Sequence, residues 1–190
     1  IRSHTITSPS LQESVEVGRP NACNLCHLDR TLAWSGEYLR EWYDLLIPPL
    51  DKDQRTVAAS ILWLLKGDAG QRAVTAWSYG WRPAQTASGT SWMVPYLGEL
   101  LGDPYDTVRY IADRALQTVP GYEGLNYDFV GNRGDRLATA VDVITTWRNG
   151  TQSRARRDPQ LLFNADGTLD TATMRKLFDE RDRRLLFLRE

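Results

Sequence analysis

Cysteine and histidine are both scarce: the 190 residues contain two cysteines, Cys23 and Cys26, and two histidines, His4 and His27. Two cysteines cannot supply a disulfide framework for a chain of this size, and their three-residue separation reads as a site. No run reaches the ~18 to 20 continuous apolar residues that span a bilayer, so the chain itself is expected not to cross one. A net charge of −1 offers no basic footprint for nucleic acid and no general attraction to an anionic membrane. The local basic runs, Arg148 with Arg154, Arg156 and Arg157, and Arg181 with Arg183 and Arg184, read as solvated surface. An initiator methionine and a secretory leader are missing from the first residues, so an upstream segment is expected to have been removed or left out. What is present is ordinary for a globular protein: 42% hydrophobic and 25% charged residues, enough for one domain, or one with a short appendage.

Residues 1–20 lack apolar periodicity and read as extended coil. From Asp29 the pattern turns helical, with Leu32, Tyr38, Leu39, Trp42, Tyr43 and Leu46 recurring until Pro48-Pro49. Asp51 and Asp53 cap a helix running through Val57, Ile61, Leu62, Leu64 and Leu65 to Gly67. A shorter helix spans 68–79, and 80–89 reads as a loop. Two more helices flank Gly102-Asp103-Pro104, with the proline expected at the first helical position. After an aromatic loop over 122–129, Leu137, Val141, Ile144 and Trp147 mark another helix, stopped by Gly150. The tail holds a turn at 164–167 and a last helix capped by Asp170 or Thr171. Asn164 to Asp170 faintly resembles a calcium loop, but it lacks the repeated acidic ligands, so a turn is favoured.

Six or seven helices and no alternating strands make the fold mainly α. A loose repeat of a leucine pair, an arginine and alanines appears at Leu45-Leu46, Arg55 and Ala58-Ala59. It returns at Leu64-Leu65, Arg72 and Ala76, and at Leu100-Leu101, Arg109 and Ala112. It suits HEAT-like helical hairpins following an extended N-terminal arm, with an irregular helical bundle as the alternative. The expected division is a cofactor-binding segment at 1–35, a helical domain at 36–150 and a C-terminal extension at 151–190. Trp63, Trp77, Trp81, Trp92 and Trp147 are candidates for a concave docking face, with ordinary core as the favoured reading.

The chemistry lies in Cys23-Asn24-Leu25-Cys26-His27. C-x-x-C-H is the attachment motif for haem c: two thiols add to the vinyl groups on one porphyrin edge, and the adjacent histidine becomes the proximal iron ligand. Competing readings are a thioredoxin-like redox pair, which wants an α/β fold; a zinc site recruiting Cys23, Cys26 and His4; and a chance match. His4, nineteen residues before Cys23, has ample chain to serve as the distal iron ligand. Surface coil, or a haem held elsewhere, are its alternatives, as is a methionine ligand from Met93 or Met174. Arg19 and Arg30 flank the motif as candidate propionate contacts, with plain surface arginine equally expected.

The run from His4 through Pro9 and Gly18 to Pro20-Asn21-Ala22-Cys23-Asn24-Leu25-Cys26-His27, followed by Trp34, resembles the last haem-binding segment of multihaem c-type cytochromes. Asp103-Pro104-Tyr105, Val108-Arg109-Tyr110 and Ala112 resemble the helical repeats that follow it in some members. The resemblance implies an exported electron-transfer protein, periplasmic or extracellular, working with other cytochromes or redox subunits. Upstream C-x-x-C-H motifs are missing, which implies either a lone-haem relative or part of a longer multihaem chain. The expected function is therefore electron relay through one covalent haem, with both axial positions filled by histidine. A peroxidase-like haem enzyme and a helical-repeat scaffold with a structural haem are the alternatives.

Overall fold

The computed structural model describes residues 9–150 and 156–184. Among these, regular structure is helical: eleven α-helices, one 3-10 turn at Pro159–Leu161, and no strand. The only β pairing there is two isolated bridges, Thr31 with Ala58 and Phe163 with Leu169.

The helices are α1 (Leu11–Glu16), α2 (Ala22–Cys26), α3 (Leu32–Tyr43), α4 (Lys52–Thr56), α5 (Ala59–Leu65) and α6 (Ala69–Tyr79). They continue with α7 (Arg82–Ser88), α8 (Val94–Leu100), α9 (Asp106–Leu116), α10 (Arg133–Asn149) and α11 (Thr171–Asp179). Six of them start on a side-chain cap, from Asn21, Thr31, Asp51, Asp68, Asn132 and Asp170. Each such cap satisfies a helix N–H that would otherwise have no partner and contributes about 1 kcal/mol. Asp51 with Gln54 and Asp68 with Gln71 close full capping boxes.

Four local expectations are corrected. Within the segment read as coil, residues 11–16 are helical, because Leu11 and Ser14 bury one side of the turn. The supposed loop at 80–89 is mostly α7, with Pro83 in its first turn. Its buried side is only Ala84 and Ser88, so it carries no apolar periodicity to read. The single helix expected from residue 51 to 67 breaks at Val57, φ −112° and ψ 142°. Tertiary hydrogen bonds compete there: the N–H of Ala58 donates to the Gln160 carbonyl at 2.8 Å, and that of Ala59 to the Arg30 carbonyl at 2.9 Å. Pro104 lies two residues before α9, whose N-cap is Tyr105, because the Asp103 carboxylate turns back to accept from the Tyr105 N–H at 3.0 Å.

Two hairpins form the body. α5 and α6 turn at Lys66 to Asp68, α8 and α9 turn at Leu101 to Tyr105, α6 packs along α9, α5 against α8, and α10 covers α8. Leu64-Leu65 and Leu100-Leu101, the second and third copies of the loose repeat, are fully buried. Leu45-Leu46, the first copy, is exposed, Leu46 to 93%. The turns are tied together through the Asp103 carboxylate, which accepts from Arg72 Nε at 2.7 Å and Nη2 at 3.1 Å, and from Arg181 Nη1 at 3.1 Å. Leu161, Leu162, Phe163, Met174 and Leu177 belong to the same apolar cluster as Ile61, Leu64 and Trp92, so the C-terminal segment completes the main core. A second, smaller cluster joins Leu11, Leu32, Leu39 and Leu50 to Ala59 and Trp63. α5 is thus a shared wall: Ile61, Leu64 and Leu65 face the main core, Ala59 and Trp63 the N-terminal one.

Of the candidate docking tryptophans, Trp63, Trp92 and Trp147 are buried, whereas Trp77 and Trp81 are exposed. The 164–167 segment is a turn: the Asp166 carboxylate accepts from the Thr168 N–H at 2.9 Å, and Gly167 takes φ +84°.

Candidate functional site

Asn21 caps α2 by accepting from the Cys23 N–H at 3.0 Å. The helix then places Cys23 and Cys26 one turn apart, both as free, half-buried thiols. Burial, together with the neighbouring Cys26, pushes the Cys23 thiol pKa up, against the pull of a backbone hydrogen bond. His27 ends the helix at φ −91° and ψ 72°, its N–H donating to the Cys23 carbonyl at 2.8 Å.

Buried polar groups brace this turn from behind. The Asn24 amide donates to the carbonyls of Arg30 (3.0 Å) and Thr31 (3.1 Å) and accepts from Ser35 Oγ at 2.7 Å. Ser88, the last residue of α7, accepts from the Leu28 N–H at 2.8 Å and donates to the Cys26 carbonyl at 3.2 Å. Ser60 Oγ on α5 donates to the Leu28 carbonyl at 2.5 Å. Together they fix the chain from Cys26 to Thr31 against α3, α5 and α7.

α3 supplies the facing wall. Residues 34, 38 and 42 are spaced by four and share one side of the helix, while Leu32, Ser35, Gly36 and Leu39 turn into the core. The apolar series that reads as one stripe in the sequence is therefore two. The outer one forms a ladder of rings: His27 to Trp34 at 4.9 Å, Trp34 to Tyr38 at 4.8 Å, and Tyr38 to Trp42 at 5.0 Å between centroids. Cys23, Cys26, His27 and the three aromatics of this ladder, with Pro9 and Leu39, line a cavity of about 310 Å3. Trp42 remains 60% exposed beside it.

The Arg30 guanidinium lies 5.7 Å from the centre of the Trp34 ring and 3.7 Å from Asp29, which sets it at the edge of this wall. Arg19 pairs with Glu13 at 2.6 Å and does not line the cavity. Met93 and Met174 are buried in the main core and do not line it either. His4 lies outside the described residues. Among the described residues no three His, Cys, Asp or Glu side chains converge as a metal-ligand set, so Cys23 and Cys26 gain no third donor for zinc there.

No protein-family model matches this chain, and no curated protein or solved structure matches it.

The arrangement suits a flat, apolar ring captured through its edge. Two thiols stand on one helical turn, an imidazole sits immediately after them, and an aromatic surface that water covers poorly extends alongside. Burying that surface is favourable by about 25 cal/mol per Å2. The i, i+4, i+8 spacing of Trp34, Tyr38 and Trp42 is a signal that sequence reading could have used. The bracing by Asn24, Ser60 and Ser88 carries no such signal, because their partners lie up to 62 residues away.

Proposed function

We propose that this chain is an electron-transfer c-type cytochrome holding one covalent haem. Cys23 and Cys26 form the thioethers, His27 is the proximal iron ligand, and His4 is the distal one. The observation that carries the reading is the juxtaposition of C-x-x-C-H with the aromatic ladder Trp34, Tyr38, Trp42, which begins in ring contact with His27 itself and becomes exposed towards Trp42. When bound, the haem supplies a one-electron carrier. The chain's own part would be to fix the thiols one turn apart, hold the peptides on either side of His27 through Ser88, and offer the indole and phenol side chains of α3 as an apolar wall beside them. Arg30, at the edge of the wall, is the better placed of the two arginines to pair with a propionate.

Two stacked hairpins with fully buried leucine pairs and an Arg72–Asp103 link between their turns support the HEAT-like reading of the body. An exported protein working with other cytochromes or redox subunits, as part of a larger multihaem chain or complex, follows from the same reading.

The test is intact mass and the pyridine haemochrome spectrum of the chain produced in a host that attaches haem c. One added haem is expected, lost when Cys23 and Cys26 are both replaced by alanine. A chain that keeps two free thiols and no haem in that host overturns the proposal. Replacing His4 by alanine is expected to convert a low-spin spectrum to a high-spin one, and an unchanged spectrum removes His4 as ligand.

A further inference from the structure

Two exposed aromatic patches lie on different helices and carry opposite charge. The first is the outward end of α3 and the residues after it, where Tyr43 is 67% and Leu46 93% exposed. Around them Glu37, Glu41 and Asp44 are exposed, three carboxylates against the single Arg40. The second is a cleft of about 370 Å3 between the end of α6 and α9, where Trp77 and Trp81 lie 6.0 Å apart with ring planes only 22° from parallel. Tyr110 and Arg114 line the same cleft, and Arg82 is exposed one residue beyond Trp81. Among the described residues none of these carboxylates, nor Arg82 or Arg114, takes part in a salt bridge.

We propose that this chain associates head to tail with a second copy of itself, the acidic aromatic end of α3 on one copy seated in the basic tryptophan cleft of the next. Exposed tryptophan and tyrosine beside arginine is the composition that dominates binding energy at protein interfaces. Charge of opposite sign on the two patches steers them together and favours one orientation. The contact is heterologous, so each copy keeps one patch free for another and short chains grow with concentration. Each patch is a handful of side chains, whereas a stable complex buries roughly 800 Å2 per partner, so a weak association is expected. It does not depend on the proposed haem: Tyr43, Leu46 and the cleft all lie outside the cavity at Cys23 and Cys26.

Sedimentation velocity of the purified chain across a concentration series is the test. Expected is an association that strengthens with concentration and weakens as salt rises. Trp77→Ser, and Tyr43→Ser with Leu46→Ser, should each weaken self-association at least tenfold while leaving the helical circular dichroism unchanged. Mixing those two variants is decisive, since one retains a good α3 end and the other a good cleft: a one-to-one dimer that grows no further is expected. Glu41→Arg and Arg114→Glu should each weaken the association and, combined in one chain, restore part of it. A chain that is monomeric at every concentration overturns the proposal, and so does a Trp77→Ser variant that still self-associates, which would mark an α3-to-α3 contact.

Discussion

The imidazole of His27 lies 4.9 Å from the indole of Trp34, the planes tilted by 53°. Trp34 also touches Tyr38 at 4.8 Å and has Arg30 over its ring at 5.7 Å, so one side chain connects the motif, the wall and the nearest cation. Trp34→Ala should cost about 1 to 3 kcal/mol of stability, from the two lost ring contacts, with His27 and Tyr38, worth roughly 0.5 to 1.5 kcal/mol each. Urea unfolding measures the loss, and NMR of the cofactor-free chain reads the contact directly. His27 ring resonances that do not move on substitution would show that the two rings do not meet in solution.

Asn24 is fully buried with both ends of its amide engaged. Asn24→Ala leaves two backbone carbonyls and the Ser35 hydroxyl without that partner, and an unsatisfied buried group costs about 1 to 3 kcal/mol. A loss of about 3 kcal/mol is expected by urea unfolding. Asn24→Asp should be no better, because a carboxylate has no N–H to offer the Arg30 and Thr31 carbonyls. Near-wild-type stability in the aspartate variant would show that the amide's donor bonds contribute little.

Asp103 serves two buried guanidiniums, so the two ends of this network should respond unequally. Asp103→Ala strands both Arg72 and Arg181 and is expected to cost about 3 to 5 kcal/mol. Arg72→Met leaves Asp103 its contact with Arg181 and should cost less. Thermal unfolding of both variants checks the order, and equal losses would show that Arg181 does not share the carboxylate. The double variant should fall short of the sum, because the two sites share one interaction.

Burial raises the Glu99 carboxyl pKa above the usual carboxylate range, with Arg181 and Arg175 pulling the other way. An acid whose folded value is raised holds its proton more tightly in the native state. Its contribution therefore favours the fold at pH below the ordinary glutamate range and is lost as pH rises through the shifted value. Glu99→Gln should accordingly be more stable than the parent at pH 7, with the gap closing at pH 4. Urea midpoints at the two pH values measure this. A gap of the same size at both would assign the effect to packing rather than ionisation.

What the sequence determined by itself is what neighbours along the chain decide. The C-x-x-C-H order of Cys23, Cys26 and His27 is written in the chain itself, whereas the short helix that sets the two thiols one turn apart is the structure's addition. The mainly α class follows from apolar residues at three- and four-residue steps, and the caps at Asp51 and Asp170 and the turn at 164–167 are short-range bonds of the same kind.

Tertiary structure decided the rest, because burial depends on partners that no local pattern names. It sorted the apolar series on α3 into a buried Leu32 and Leu39 and an outward Tyr38 and Trp42, and set the half-buried Trp34, which that series did not include, in line with the outward pair. It made a helix of residues 82–88, whose buried side is only alanine and serine, and broke the expected long helix at Val57, where Gln160 and Arg30 offer hydrogen bonds from afar. The motif was legible before the fold. The wall of rings that begins at its histidine was not, since a helix states the spacing of its side chains but only packing chooses the side that faces out.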